Sequence, residues 1–296
     1  MKILIIGSDS YIASHFISGF GNRFSITAVS RVNTGNRSEI VLPDFSNIPD
    51  SLFSGQDIVI NFAAIVHRPD IKSPSLFDFV NYRLAVENAG KAKASGVKHF
   101  IQMSSIAVYG DIDLISEKNI PDPMNPYASS KLKADVELMK MQDNEFSVAI
   151  IRPPMVYGGG NSPGNMMRLF KLVGRGIPLP FKGIDNRRDF INVANLIQYI
   201  GIICEKRLNG VFLITDHEPV STEFLLKTIA ELLGQKIILF NPSGMLLSLL
   251  KRVAVKEYKK LYGSLHIESN FPLEELIVRE SVEKGLSEMA GFYKKT

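Results

Sequence analysis

The sequence predicts an α/β protein with a Rossmann-type doubly wound parallel sheet and a smaller C-terminal α/β lobe. Short apolar runs alternate with helical segments over the N-terminal part of the chain, a pattern typical of parallel strands joined by helices. The first run, Lys2–Ile6, leads directly into a turn of small residues that begins at Gly7. Strand, small-residue turn and helix form the layout in which backbone N–H groups bind a phosphate.

The remaining strands and helices follow from apolar periodicity between turn residues. Further strands are predicted at residues 25–30, 40–45, 57–61, 97–103, 148–151 and 211–215. One helix is predicted at residues 75–95 and another at 222–233. Between them, Asn125 and Pro126 suit the cap and first position of a third helix. A glycine-rich loop after residue 157 breaks the alternation and predicts the start of the second lobe.

Composition excludes several classes of protein. The 296 residues are 45% hydrophobic and 22% charged, which suits a globular protein with a sizeable core. The one cysteine, Cys204, excludes an intrachain disulfide. With no signal-peptide pattern at the N-terminus and no apolar run long enough for a bilayer, we predict a cytoplasmic protein without membrane insertion. The net charge of +4 favours an anionic small ligand over nucleic acid. No Cys/His cluster has metal-binding spacing, so no metal site is predicted.

The stretch from Ser104 to Lys131 carries the strongest chemical signal. Ser104 and Ser105 close the strand predicted at 97–103, and Tyr127 and Lys131 fall four apart on one helical face. A tyrosine has a reference pKa of about 10, and a neighbouring ammonium is expected to lower it. A serine hydroxyl nearby can hydrogen-bond the same substrate oxygen. These groups together suit proton transfer between a carbonyl and an alcohol, which requires a hydride carrier beside them.

The run Ser-Ser-Ile-Ala-Val-Tyr-Gly followed by Tyr-Ala-Ser-Ser-Lys resembles the extended short-chain dehydrogenase/reductases, the NAD-dependent epimerase/dehydratase family. The resemblance implies that Ser105, Tyr127 and Lys131 form the catalytic triad. It further implies a dinucleotide-binding domain over residues 1–157, to which residues 189–215 return. Residues 158–188 and 216–296 would then form the substrate-binding lobe.

The family's glycine-rich turn matches in part, because its three glycine positions fall on Gly7, Ser10 and Ala13. Alanine is an accepted variant at the third position, whereas Ser10 is a departure. The resemblance implies contacts of the turn and of later segments with the cofactor. These residues are Gly7, Ser10, Tyr11, Ile12, Arg31, Asp44, Phe45, Ala63, Ala64, Asn81, Ser104, Tyr127, Lys131 and Pro153.

The second strand predicts which dinucleotide binds. It ends in Ser30-Arg31, and no acidic residue occurs between Asp9 and Glu39. An acid near this point binds the ribose 2′-hydroxyl of NAD, whereas an arginine suits the 2′-phosphate of NADP. NADP(H) is therefore favoured over NAD(H), with Arg31 as the phosphate partner and Arg37 as a second candidate.

The later segments predict the substrate. Arg187-Arg188-Asp189-Phe190 resembles the family's Arg-Asp-Phe segment, which implies that Arg188 contacts the diphosphate of a UDP-sugar, with Arg187 assisting. Guanidinium groups suit this role because they bind phosphate oxygens in pairs. Asn165 falls where the family often has a substrate-binding asparagine, and Ser105 would contact the sugar. The basic tail beyond Met245 is more typical of packing on its own domain than of membrane binding.

The resemblance is strongest to bacterial 4-ketoreductases of surface-polysaccharide synthesis, which act on UDP-4-keto-6-deoxy-N-acetylhexosamines. The main hypothesis is therefore NADPH-dependent reduction of a UDP-linked 4-keto sugar. An alternative is an NAD-dependent UDP-sugar 4-epimerase, and a further one is a non-catalytic NADP-binding sensor or scaffold. A dehydratase is disfavoured because Ile106-Ala107 replace the acidic pair of those relatives. Family members are often homodimers, which makes a second copy of the chain a candidate partner.

Overall fold

The computed structural model describes residues 1–33, 35, 39–66 and 73–296. Its centre is a parallel sheet of seven strands in the order β10-β7-β5-β4-β1-β2-β3. The strands are β1 Lys2–Ile6, β2 Ser25–Ser30, β3 Glu39–Val41, β4 Ile58–Asn61, β5 His99–Met103, β7 Ser147–Arg152 and β10 Gly210–Leu213. The predicted fold class is therefore confirmed.

The sheet is doubly wound about β1, which pairs with β2 on one side and with β4 on the other. Ile5 lies opposite Ala28 in the first pair and opposite Ile60 in the second. Strand order reverses at this point, and ligands of open α/β sheets bind at the carboxyl ends of the strands there. The turn at Gly7 leaves β1 at this place.

Helices cover both faces of the main sheet, and two short strand pairs lie outside it. The helices are α1 Tyr11–Phe20, α2 Pro74–Phe77, α3 Leu84–Ala94, α4 Pro126–Lys140, α5 Asn165–Gly174, α6 Val193–Lys206, α7 Thr222–Leu233, α8 Gly244–Val253, α9 Val255–Tyr262 and α10 Val282–Tyr293. The short pairs are β6 Leu114–Ile115 with β11 His266–Ile267, and β8 Val156–Tyr157 with β9 Ile191–Asn192. Among the helices in the described ranges, none has the length and apolar character needed to cross a bilayer.

Local chemistry sets several boundaries. The predicted third strand ends early, at Val41, because Pro43 has no N–H to continue a ladder. The helix predicted at 75–95 is interrupted by a π-helical segment, Asp78–Arg83, a form that often marks functional positions. That segment carries the buried Asn81. The helix Thr222–Leu233 has the predicted bounds, since Ser221 caps its start and Gly234 adopts a left-handed conformation at its end.

Strand alternation divides the core between the two faces of the sheet. Ile3 and Ile5 pack on one face with α1 and α6, whereas Leu4 and Ile6 pack on the other with α3 and α4. A further cluster joins α5, α7 and α10 around the buried Phe170. These three helices therefore form an apolar cluster of their own beside the sheet.

The outer edge of β10 is covered by a segment from the far end of the chain. The Asn270 side chain accepts a hydrogen bond from Leu213 N at 2.7 Å and donates one to Val211 O at 2.8 Å. An amide side chain thus pairs with the backbone as a neighbouring strand would. Edge strands are liable to intermolecular pairing when they are left open, so Asn270 protects the sheet at this side.

We expect Asn270→Ala to lower the free energy of unfolding by about 1–3 kcal/mol, because it removes the partners of two backbone groups. The exposed Asn209, just before β10, gives a matched control in Asn209→Ala. Denaturant unfolding of both variants measures the difference. Equal stability of Asn270→Ala and the wild type would show that water replaces the side chain fully.

Candidate functional site

The turn after β1 requires glycine at its first position. Gly7 has φ of 83°, and a Cβ there would lie 2.7 Å from Ala63 N. Ser10 instead has φ of −77° in an extended conformation and caps α1, because its Oγ accepts from Ala13 N at 3.3 Å. The backbone at Ser10 therefore does not need the conformational freedom of glycine. The turn still presents a capped helix N-terminus, which suits a pyrophosphate.

A cavity of about 280 Å³ lies over this turn and is called the Gly-turn cavity below. It brings together half of the predicted cofactor-binding residues, namely Gly7, Ser10, Arg31, Asp44, Phe45, Ala63 and Ala64. It is also lined by Asp9, which the sequence analysis did not single out. A cleft of small residues, two buried aromatic side chains (Phe45 and Phe62) and a helix N-terminus fits a dinucleotide. Arg37 lies outside the described residues.

Other predicted cofactor-binding residues contact the protein itself. The Tyr11 hydroxyl donates to Gly158 O at 2.8 Å, and Ile12 packs against the core beside the sheet. Asn81 accepts from Ile65 N at 2.8 Å and donates to Ile65 O at 2.9 Å, so it fixes the loop that follows β4. Pro153 O accepts from Ile106 N at 3.1 Å.

The three predicted catalytic residues meet at the ends of β5 and α4. Ser105 and Tyr127 line a cavity of about 520 Å³, called the triad cavity below. Ser105 Oγ accepts from Ala107 N at 3.2 Å, which fixes the start of the short 3₁₀ turn Ile106–Tyr109. Lys131 lies one helical turn beyond Tyr127, is 2% exposed, and donates from Nζ to Met103 O at 2.8 Å.

Burial governs the proton affinities of Tyr127 and Lys131. Burial lowers the pKa of the Lys131 ammonium to about 8, and the nearby Asp135 carboxylate opposes the decrease. Burial raises the pKa of the Tyr127 phenol, and its hydrogen bond with Ser105 offsets part of the rise. The expected decrease in the Tyr127 pKa is therefore not found in this structure, because loss of hydration is the largest effect and raises the pKa. Tyr127 is a phenol, ready to donate a proton, at neutral pH.

A buried polar network behind the triad was missed by the sequence reasoning. Asp135 Oδ2 accepts from Ser104 Oγ at 2.8 Å and from Arg152 Nε at 3.0 Å. Arg152 also donates to the Tyr109 hydroxyl at 2.8 Å. Ser104 thus faces this network and not the Gly-turn cavity. The available signal was an acid one helical turn after Lys131, together with the arginine that ends β7.

Arg188 and Asn165 connect the triad cavity to a second, cation-lined cavity of about 570 Å³, and both residues line both cavities. The second cavity also contains Arg168, Lys171 and Arg175, on or next to α5. Arg188 Nη1 donates to Gly263 O at 2.9 Å and to Lys259 O at 3.2 Å. Burial lowers the Arg188 pKa, which indicates a partly desolvated guanidinium near the site.

Arg187 differs from Arg188, since its side chain is exposed and pairs with Asp185 at 3.3 Å. Arg187 is not among the residues that line the triad cavity or the second cavity, so its assisting role stays a prediction. The basic tail packs on the protein at α9, where Lys259 Nζ pairs with Asp111 at 3.0 Å and Tyr262 stacks on Phe181. Across the described residues, no group of three or more His, Cys, Asp or Glu side chains is arranged for a metal ion.

Sequence comparison places this site in a known family. The model of the NAD dependent epimerase/dehydratase family matches residues 3–214. The chain is 32% identical over 248 residues to UDP-glucose 4-epimerase of Vibrio cholerae, covering 77% of this chain and 75% of the relative. It is 27% identical over 281 residues to the N-acetyl-alpha-D-glucosaminyl-diphospho-ditrans,octacis-undecaprenol 4-epimerase of Escherichia coli O157:H7, covering 87% and 82%.

Solved structures agree on the fold. The UDP-glucuronic acid 4-epimerase of Bacillus cereus in complex with NAD superposes with a TM-score of 0.80 at 19% sequence identity, covering 100% of this chain and 99% of that chain. The 4-ketoreductase subtype predicted from sequence is not among these relatives, and the non-catalytic alternative is set aside. The chain belongs to the NAD dependent epimerase/dehydratase family and is an NAD(P)-dependent enzyme of the short-chain dehydrogenase/reductase type.

Proposed function

We propose that the enzyme is a UDP-sugar 4-epimerase that works with NAD. The observation that carries the proposal is the junction of two cavities. Ser105 and Tyr127 face the first, and Asn165 and Arg188 lead from it into the cation-lined second. A sugar bound at Ser105 and Tyr127 could thus have its diphosphate bound at Arg188. The 4-epimerases among the relatives support the same substrate class.

The fit of the Gly-turn cavity to a dinucleotide supports the cofactor. When bound, NAD would supply the hydride acceptor for C4 of the sugar and the hydride donor for its return. Gly7 keeps the turn close to Ala63, and the N-terminus of α1 offers backbone N–H groups to the pyrophosphate. Asp44 and Phe45 would hold the adenine end, where Asp44 is fixed by a hydrogen bond from Ser46 N at 2.8 Å.

The chain's own groups would move the proton that accompanies the hydride. Tyr127 is assigned the acid–base role: once the phenol has lost its proton to solvent, the phenolate would take the proton of the C4 hydroxyl, and the re-formed phenol would return it to the same oxygen after inversion. Ser105 would hold that oxygen by a hydrogen bond. The buried ammonium of Lys131 would favour the phenolate whenever Tyr127 has given up its proton, because an unscreened positive charge is more effective there than in water.

Inversion at C4 also requires the ketone to present its other face. The sugar must therefore turn while its diphosphate stays bound. The triad cavity of about 520 Å³ has room for this turn, and Arg188 would anchor the diphosphate through paired hydrogen bonds. The additional cations of the second cavity, Arg168 and Lys171, would keep the nucleotide in place.

Reduction of a UDP-linked 4-keto sugar with NADPH is the second candidate. Arg31 in the Gly-turn cavity favours it, since an arginine there suits a 2′-phosphate. The two reactions differ in redox balance. Epimerisation consumes no reduced cofactor, whereas reduction consumes one equivalent for each sugar.

We expect the purified enzyme to interconvert UDP-glucose with UDP-galactose, or the corresponding N-acetylhexosamine pair, without net consumption of a cofactor. Nuclear magnetic resonance of the sugar C4 position follows the inversion. Turnover only of 4-keto sugars, with stoichiometric oxidation of NADPH, would contradict the epimerase and support the reductase.

We expect Tyr127→Phe to lower turnover by about 10²–10⁴-fold, because the acid–base group is lost, while cofactor binding is retained. Tyr293 packs against Phe170 away from the triad, so Tyr293→Phe is a matched control with turnover near that of the wild type. Steady-state rates and cofactor titration measure the two properties. Full activity of Tyr127→Phe would exclude the assigned role.

We expect Asp135→Asn to move the alkaline decline of activity to lower pH. The Asp135 carboxylate favours the Lys131 ammonium, so its neutralisation should bring the Lys131 pKa further below about 8. The ammonium is present below that pKa and lost above it. A pH profile of turnover checks the shift, with Glu137→Gln on the exposed face of α4 as control.

Asp135→Asn also leaves Arg152 buried without its counter-charge, which costs stability. Asp135→Glu keeps the charge and should keep the wild-type pH profile. An unchanged alkaline limb in folded Asp135→Asn would show that the carboxylate does not act on Lys131.

A further inference from the structure

The Gly-turn cavity holds charges of both signs near its opening. Arg31 follows β2 and is exposed, whereas Asp9 lies in the turn after β1 and is half-buried. Both line the same cavity. Of the two arginines on which the sequence-based preference for NADP(H) drew, Arg31 lines this cavity, so the charges of Arg31 and Asp9 both bear on which dinucleotide the cavity favours.

Asp9 is held in place by the turn that carries it. Gly7 N and Ser8 N both donate to Val29 O, at 2.9 and 3.0 Å. The Ser8 hydroxyl donates to Glu39 Oε1 at 2.8 Å, which ties the turn to β3 as well. A residue on a backbone fixed at several points pays little conformational entropy when it meets a ligand.

The Asp9 carboxylate itself is unengaged. Within the described part of the chain it has no hydrogen-bond or ion-pair partner, although it lines a cavity. A carboxylate accepts hydrogen bonds only, so a ribose hydroxyl is a suitable partner and a phosphate is not. Arg31 is exposed and has a long side chain, so water and salt weaken its attraction for a 2′-phosphate more strongly.

Enzymes of this fold that select NAD ordinarily do so with an acidic residue at the end of the second strand. Here Ser30 and Arg31 occupy that place, and the Asp9 carboxylate reaches the cavity from the turn after β1.

We propose that Asp9 selects NAD(H) over NADP(H), by accepting a hydrogen bond from the adenosine 2′-hydroxyl and by repelling a 2′-phosphate. The inference deepens the proposed function, because it rests on the Gly-turn cavity being the dinucleotide site. It assigns cofactor choice to a residue of the glycine-rich turn and overrides the preference drawn from Arg31.

Direct binding tests the proposal without any sugar substrate. The protein has no tryptophan, so the fluorescence of NADH and NADPH can be titrated without that background, after bound nucleotide has been removed. We expect the wild type to bind NADH more tightly. In Asp9→Asn the ratio of the two dissociation constants should shift toward NADPH by about tenfold or more, since like charges in contact are costly.

Asp44→Asn is the matched control, because Asp44 is a carboxylate that lines the same cavity and is predicted to hold the adenine end. It should weaken both nucleotides alike and leave their ratio unchanged. Added salt should narrow the wild-type preference, because it screens repulsion of the 2′-phosphate, and should affect the ratio in Asp9→Asn less. A purely structural role of Asp9 would not produce this salt dependence.

Tighter binding of NADPH by the wild type, or an unchanged ratio in Asp9→Asn, would overturn the proposal. Either result leaves the epimerase test standing, since C4 inversion is measured separately. Conversely, a shifted ratio without C4 inversion of any UDP-sugar would retain Asp9 as the selector and reject the proposed reaction.

Discussion

The buried pairing of Asp135 with Arg152 is the interaction on which the active region depends. Asp135 belongs to α4 and Arg152 ends β7, so their contact ties the helix that carries Tyr127 and Lys131 to the sheet. The same carboxylate holds Ser104 at the end of β5. Buried ion pairs contribute little to stability compared with apolar packing, but breaking one is costly. The pair therefore acts mainly to fix geometry. It holds α4, which carries Tyr127 and Lys131, against the ends of β5 and β7.

That geometry has an electrostatic consequence. Lys131 keeps a charge in a site where burial opposes it, and Asp135 supplies the compensating negative charge within one helical turn. Tyr127, beside it, is kept protonated by the same loss of water. The pKa of the Tyr127 phenol is thus raised above its usual value, and the pKa of the Lys131 ammonium is lowered below its usual value. Sites of this kind respond strongly to the arrival of another charged group, because low hydration leaves few competing interactions.

Much of the fold could be predicted from the sequence, because β1, β2 and α7 have strong periodicity and clear caps. Ser105, Tyr127 and Lys131 were recognisable for the same reason, because residues close in sequence indicate where a strand ends and where a helix starts. The role proposed for Asp9 was not recognisable, because its place in the same cavity as Arg31 depends on two turns that meet only in the folded sheet. Asp135 was missed because the neighbouring sequence does not show whether an acidic residue on a helix is buried or exposed. Ser10, which departs from the glycine pattern of the turn, is the N-terminal cap of α1.

The covering of β10 by Asn270 has a consequence for how the chain can be divided. The family model ends at residue 214, yet the edge of the last strand before that point is completed by a residue more than fifty positions later. A chain cut after residue 214 would keep every strand of the main sheet and lose the cover of its outer edge. Such a fragment would present open backbone groups to its neighbours and tend to associate through them. The main sheet, although all its strands precede residue 214, therefore depends on a later part of the chain to cover its edge.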